Sequence, residues 1–231
     1  MRFRSWLIIP IIFAITGYSC KEKGIKNLDQ GEIHYSIDYM GNENIIPKDY
    51  MPKNLIVSFK DDKILFEIAA PFGNAGIYNL ANPKEKIYDT YLSLLTLRYY
   101  YASKPGELPP GFEAMDGMEI RKTDKTSVIC GFNCKSSEVT FPADSNKKYT
   151  IWYTDEIDVK NPNASTPFYQ IDGVLMGFFF FLGPAELRFN AETVYKKEIP
   201  DKTFERRGKY LQVSRDDINS FINKMLNLFI S

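Results

Sequence analysis

Val174-Leu175-Met176-Gly177-Phe178-Phe179-Phe180-Phe181-Leu182-Gly183 is the stretch that decides the fold, because it sets four phenylalanines in a row inside a chain that is 25% charged. The run is about half the ~20 residues that a membrane-spanning helix needs, and Gly183-Pro184 ends it abruptly. As a strand it sends Val174, Met176, Phe178, Phe180 and Leu182 to one face and Leu175, Gly177, Phe179 and Phe181 to the other. Both faces are apolar, and a strand apolar on both sides needs cover on both sides. Burying one Phe contributes about 1.5–3 kcal/mol, so a whole face left in water would cost on the order of several kcal/mol.

Outward from that run the dominant period is two. In Glu32-Ile33-His34-Tyr35-Ser36-Ile37-Asp38-Tyr39 the odd positions are apolar and the even ones polar, the mark of a strand with one buried face. Leu55, Val57 and Phe59, then Ile64, Phe66 and Ile68, repeat it around Lys60-Asp61-Asp62-Lys63, which reads as a hairpin tip. Further strands are expected at 75–80, 85–89, 92–102, 126–130, 134–141, 148–154, 173–182 and 186–195, broken at sites such as Asn82-Pro83, Pro109-Pro110-Gly111 and Gly183-Pro184. Many short strands joined by tight turns argue for an antiparallel meander. One helix is expected over about 214–230. Ser214 can cap it, Asp216 and Asp217 suit its first turn, and Ile218, Phe221, Ile222, Met225, Leu226 and Phe229 recur at three and four. That apolar stripe can cover one face of the 174–182 strand. A curled sheet, a bound apolar ligand or a partner protein must cover the other.

At the N-terminus, Arg2 and Arg4 precede an apolar run from Trp6 to Thr16, followed by Gly17-Tyr18-Ser19-Cys20 and the hydrophilic Lys21-Glu22-Lys23-Gly24. The run is too short to span a bilayer and suits the core of a secretory signal. A cysteine after small residues at the end of such a core resembles the lipobox of bacterial lipoproteins, with Tyr18 departing from the usual small residue. The expected organisation is a signal peptide at 1–19, a lipidated Cys20 with a tether to residue 30, and a single β domain over 31–231.

Lys plus Arg and Asp plus Glu stand at 29 each, which removes the electrostatic case for a nucleic-acid partner. His34 is the only histidine and faces solvent in the strand reading; triads and zinc sites need more, so no metal or cofactor is expected. Asp61-Asp62 and Asp155-Glu156 are sequence neighbours, which on strands places their carboxylates on opposite faces and makes neither an acid/base pair. The expectation is a protein that is not an enzyme. Cys130 and Cys134 flank Gly131-Phe132-Asn133. If those three form a hairpin loop, the cysteines are cross-strand partners within reach of a disulfide; if they lie along one strand they stand about 13 Å apart and no bond forms. An exported chain favours the bond. Asn163-Ala164-Ser165 matches a glycosylation acceptor, which carries no weight in a bacterial chain.

The stretches GEIHYSIDY, PKNLIVSFKDDKILFEI, SVICGFNCKSSEVTF, YTIWYTDEI with NPN and IDG after it, and VYKKEIPDKTFERRGKY together resemble an uncharacterised (DUF-type) family of Gram-negative lipoproteins. Members are similar in fold to the LolA/LolB carriers of lipoproteins. The resemblance covers nearly all of residues 31–213, and its most specific piece is Ile129-Cys130-Gly131-Phe132-Asn133-Cys134-Lys135. It implies a strongly curved antiparallel sheet, an unclosed half-barrel with a helix packed on it, in an envelope protein with an apolar concavity for acyl chains or lipoproteins. It implies no catalytic residues. The chain departs from the pattern in setting Cys130 beside Cys134 and in the greasiness of 178–181.

Two functional expectations follow. In the first, the protein is held on the outer membrane by Cys20, facing the periplasm or the cell surface, and binds a hydrophobic ligand or acyl chain in a cavity lined by Trp152, Met176, Phe178, Phe179, Phe180, Phe181, Phe221 and Met225. In the second, the interior is filled and the module serves an envelope protein partner. An exposed apolar groove favours the first or a partner site; a dry, packed interior favours the second.

Overall fold

The computed structural model describes residues 28–40, 48–73 and 75–229. The expected signal peptide, Cys20 and the tether up to residue 27 lie outside them. The described residues form a mostly β structure whose strands are β1 (Gln30–Met40), β2 (Asn54–Lys60), β3 (Lys63–Ala69), β4 (Ala75–Asn82), β5 (Ile87–Leu94), β6 (Leu97–Ala102), β7 (Glu119–Ile129), β8 (Phe132–Phe141), β9 (Asp144–Thr154), β10 (Val174–Leu182), β11 (Ala185–Tyr195) and β12 (Leu211–Gln212). A single α-helix among these residues, α1 (Arg215–Phe229), follows β12.

All twelve strands belong to one sheet, in the order β12-β6-β5-β4-β3-β2-β1-β11-β10-β9-β8-β7. Two meanders, β1 to β6 and β7 to β11, are joined where β1 pairs with β11. Neighbours run antiparallel apart from β12, which lies parallel to β6. β12 and β7 are the two outer edges and do not meet, so the sheet is unclosed.

Turn chemistry sets the register. Lys60 faces Lys63 across Asp61-Asp62, and Asp61 takes a left-handed φ of 57°, as a two-residue hairpin requires. Leu94 faces Leu97 across Leu95-Thr96, with Leu95 at φ 54°, so the stretch 92–102 is two strands and not the one expected from its continuous apolar content. Ile129 faces Phe132 across Cys130-Gly131, at φ 51° and 82°. β7 begins at Glu119, well before the expected 126, because its exposed face alternates charged residues that carry no apolar signal.

The main core lies on the concave side, where β1 to β5 and β8 to β11 meet α1. Ser214 Oγ accepts from the Asp217 amide at 3.2 Å and caps the helix, and Ile218, Ile222, Met225 and Leu226 are its buried stripe. The helix passes close over the 104–118 loop at Gly111, whose φ of 88° no Cβ tolerates easily and whose added Cβ would stand 2.9 Å from Leu182 and 3.1 Å from Ile222. A smaller apolar cluster lies on the opposite face: Leu65, Tyr78, Leu80, Ile87 and Tyr91 are covered there by Ile199 and Phe204. β3, β4 and β5 are therefore buried on both sides.

Candidate functional site

The concavity is filled by the protein's own side chains. Phe178 and Phe180 pack on Phe189 at ring distances of 4.9 and 5.2 Å. Phe112, from the 104–118 loop, meets Phe180 edge-on at 4.8 Å, and Phe168, from the 155–173 loop, lies over Phe178, Phe179 and Phe180 at 5.7–6.4 Å. Tyr35 meets Phe178 edge-on, and its hydroxyl donates to the Leu175 carbonyl at 2.7 Å. Burial pushes that phenol well above its ordinary range, so it stays a donor.

The eight side chains expected to line one cavity are dispersed. Met176, Phe178, Phe179 and Phe180 are core, each 4% exposed or less. Trp152 is half-buried and packs on Gly177, where an added Cβ would stand 3.2 Å from the indole. Phe221 and Met225 lie on α1; Phe221 stacks on Tyr99 at 4.6 Å, and the two helix residues share with Leu92, Leu94 and Leu97 a separate apolar groove of about 240 Å³. Phe181 turns into a different cleft. Alternation itself separates the four phenylalanines, with Phe178 and Phe180 beside Phe189 on one face and Phe179 and Phe181 beside Tyr149 on the other, and only at 175–177 does a bulge set three β10 residues against Tyr153 and Trp152 of β9.

Beyond that bulge the β9–β10 ladder ends. β9 and β10 pair at Val174–Thr154, Leu175–Tyr153 and Gly177–Trp152, and past that point they touch through the stacked rings of Tyr149 and Phe179 at 4.4 Å. The 109–118 segment is wedged against the far end of β10. The Gly183 amide donates to the Gly111 carbonyl at 2.7 Å, the Phe181 amide donates to Met115 Sδ at 3.3 Å, and the Gly111 amide donates to Asn219 Oδ1 of α1 at 2.8 Å. Between this wedge and the β8–β9 arm lies a cleft of about 540 Å³, walled by Phe141, Tyr149 and Phe181, with Asp116, Asp144 and Lys147 at its mouth. Lys147 reaches over the Tyr149 ring at 4.9 Å and faces Glu186 at 3.7 Å; contact with Tyr149 and Glu186 raises its pKa.

The cysteines do not form the bond that a three-residue loop would permit. The loop is the two residues Cys130-Gly131, and the strand partner of Cys134 is Ser127. Both thiols are free: Cys130 Sγ donates to the Ala191 carbonyl at 3.3 Å, and Cys134 is buried. Burial pushes Cys134 up to about 11 and raises Cys130 as well, which leaves both as neutral thiols at ordinary pH. His34 packs edge-on against Tyr195 at 4.9 Å and lies 3.3 Å from Glu32, which Lys197 also contacts at 2.7 Å. Among the described residues no group of three His, Cys, Asp or Glu side chains is arranged to hold a metal.

Sequence reasoning missed the convex cluster. Asp89, with a fully buried side chain, accepts from Arg206 and from Tyr91. Arg207 lies over the Tyr78 ring at 4.1 Å, and its amide donates to the Tyr91 hydroxyl at 3.2 Å. These contacts strap residues 199–210 across β3 to β5. Asp89 and Arg206 are 117 positions apart and the 199–210 stretch has no period of its own, so the available signal was only an acidic residue inside a strand with no other charge.

No protein-family model matches the chain, and no curated protein matches it. Among solved structures, PNGF-II superposes with a TM-score of 0.52 at 16% identity, over 84% of this chain and 32% of the PNGF-II chain. The chain thus spans about a third of that protein, and the likeness bears on fold alone. LprF from Mycobacterium bovis superposes with a TM-score of 0.27 at 11% identity, over 77% of this chain and 89% of LprF, too loosely to inform the fold.

Proposed function

We propose that this chain is a non-enzymatic envelope lipoprotein, anchored in the outer membrane through Cys20, whose bent sheet serves as a docking module for a protein partner in the envelope. The observation that carries this reading is the filled concavity. An acyl chain held there needs the space that Phe112, Phe168, Phe178, Phe180 and the buried stripe of α1 occupy, and close-packed interiors of this kind leave no room for a ligand without rearrangement. The perturbed ionisable groups have structural explanations: Glu32, Glu107 and Arg206 are shifted by ion pairs and hydrogen bonds that tie loops to the sheet.

Native mass spectrometry with lipid extraction, on the protein purified from its own membranes under mild conditions, tests the reading. A protein mass that carries only the lipid on Cys20 is the expected result. A further co-purifying acyl-chain species, lost in Phe180→Asp, overturns it in favour of a carrier. The anchor has its own test: incorporation of labelled palmitate into the wild-type chain and none into Cys20→Ala.

A further inference from the structure

We propose that one rim of the bent sheet dips into a lipid surface, with Phe72 and Leu95 as the inserting side chains, Tyr50 at headgroup level, and Arg98 and Lys224 set against anionic headgroups. The inference goes beyond the partner reading above and does not rest on it.

The turns supply the first argument. Strand register places Pro71-Phe72-Gly73, Leu95-Thr96, Pro142-Ala143 and Gly183-Pro184 at one end of the sheet, together with Met40 at the end of β1. None of these turn residues is charged, although hairpin turns are ordinarily polar. The opposite end is charged: Asp61-Asp62 lies between β2 and β3, and Lys84-Glu85-Lys86 between β4 and β5.

Exposure follows the same polarity. Of the large apolar side chains exposed among the described residues, Met40, Tyr50, Phe72, Leu95 and Leu97 lie at the uncharged end, with Phe72 at 71% and Leu95 at 70%. Ala75 faces Leu94 across the β4–β5 ladder, so the turns that carry Phe72 and Leu95 stand side by side. The Tyr50 ring stands 5.9 Å from that of Phe72, and an amphipathic ring of this kind suits the boundary between water and lipid.

Size and charge select the occupant. A protein interface of standard size buries about 800 Å² a side, more than a few separate tips offer. A bilayer takes up each tip independently and rewards apolar area and basic charge together. Arg98, next to Leu97, and Lys224, beside the groove between α1 and the β5–β6 hairpin, are exposed and form no ion pair among the described residues. Asp49, the acidic neighbour of Tyr50, is paired with Lys53 at 3.1 Å. Asp116 and Asp144 lie on the other half of the rim, beside the β8–β9 turn, so the β3–β6 half is the one that meets lipid.

An anchor at Cys20 is compatible with this pose. Leu28 bridges to Ile157 at the charged end. The eight peptide steps from it back to Cys20 reach at most about 29 Å, against about 34 Å along β1. A tilt of about 30° closes that difference, less than the 35–45° by which the strands of barrels tilt.

The test places the environment-sensitive dye NBD on Thr96→Cys or, at the opposite end, on Asp62→Cys, each in a Cys130→Ser background of the protein purified from its own membranes. Each is reconstituted with vesicles of phosphatidylethanolamine and phosphatidylglycerol that carry a nitroxide quencher just below the headgroups. Emission at 96 is expected to shift to the blue and to be quenched, while emission at 62 stays that of water. Phe72→Asp together with Leu95→Asp, both exposed and outside the core, is expected to cut the quenching at 96 by about threefold or more. Circular dichroism melts check that this variant is folded. The same emission at both positions, or quenching at 96 that the two aspartates leave unchanged, overturns the inference. A blue shift at 96 without quenching by the lipid also overturns it, since a protein then covers the rim.

Discussion

Asp89 accepts two hydrogen bonds from the guanidinium of Arg206, at 2.7 and 3.0 Å, and a third from the Tyr91 hydroxyl at 2.8 Å. The carboxylate is fully buried while the arginine is 45% exposed, so the pair clamps the 199–210 strap from its solvent side. Removing the arginine leaves a buried anion with one remaining donor. Arg206→Ala is expected to destabilise the fold by about 1–3 kcal/mol, at the low end of the cost of orphaning a buried charge because water reaches the arginine's side of the pair. Chemical denaturation followed by circular dichroism measures it; an unchanged midpoint would mean that the strap is not clamped by this pair.

The packed concavity makes a graded prediction. Phe180, 2% exposed among Phe112, Phe168, Phe178 and Phe189, loses its whole environment on truncation, and Phe180→Ala is expected to cost about 3–5 kcal/mol. Phe181 is partly exposed in the cleft, so Phe181→Ala is expected to cost less than half as much. The reverse order in urea midpoints would show that the interior of the half-barrel holds space rather than side chains.

Stability should fall at both ends of the pH scale, for different groups. Burial pushes the Glu32 and Glu107 carboxyls up, but hydrogen bonds from Lys197 and His34 to the first, and from the Lys104 amide, Tyr101 and Arg215 to the second, outweigh it and hold both below the ordinary 4.5. A carboxylate so depressed stabilises the fold above its unfolded pKa and loses that contribution as pH falls through its native one. The thermal midpoint should therefore drop below pH 4.5, and Glu107→Gln should lower the neutral midpoint while flattening the acid limb. The Cys134 thiol behaves oppositely: pushed up from 9.0 to about 11 by burial, it contributes fully below 9 and loses that contribution as pH rises toward 11. Thermal melts of wild type, Glu107→Gln and Cys134→Ala across pH check both limbs, and an acid limb unmoved by Glu107→Gln would exclude that carboxylate as its origin.

Thiol chemistry separates the two neighbours. Cys130 is half-buried and donates to Ala191, whereas Cys134 lies inside the sheet. Iodoacetamide at neutral pH should modify Cys130 slowly and Cys134 only after unfolding. Mass mapping that finds a Cys130–Cys134 disulfide in the native protein would refute the two-residue loop.

Sequence patterns carried the fold class because period two is written plainly into β1, β2, β3 and β9, and because the stripe of α1 recurs at helical spacing. The same patterns could not separate β5 from β6, since the break at Leu95-Thr96 rests on one left-handed residue with no glycine or proline to announce it. The phenylalanine run was legible as buried, and its need for cover on both sides is met by rings from β8, β9 and two loops. Which rings meet it was not legible: Phe112 and Phe168 sit in segments without period, and their distance in sequence from Phe180 hides the contact. The early end of the β9–β10 ladder was equally hidden, because it follows the bulge at Met176, a position indistinguishable by composition from its neighbours.

The pairing of β1 with β11 also constrains how the chain reaches its final form. The Tyr35–Leu175 hydrogen bond bridges 140 positions, and the long β1–β11 ladder beside it joins the opening of the sheet to its last long strand. The β1–β6 meander can assemble from local hairpins, but one side of β1 stays unpaired until nearly the whole domain has been synthesised. Non-local pairing of this kind slows folding and exposes an edge to other chains meanwhile. A nascent form of this protein would thus spend its most vulnerable interval with β1 uncovered, and substitutions that weaken the β10–β11 hairpin should lower its yield more than its final stability.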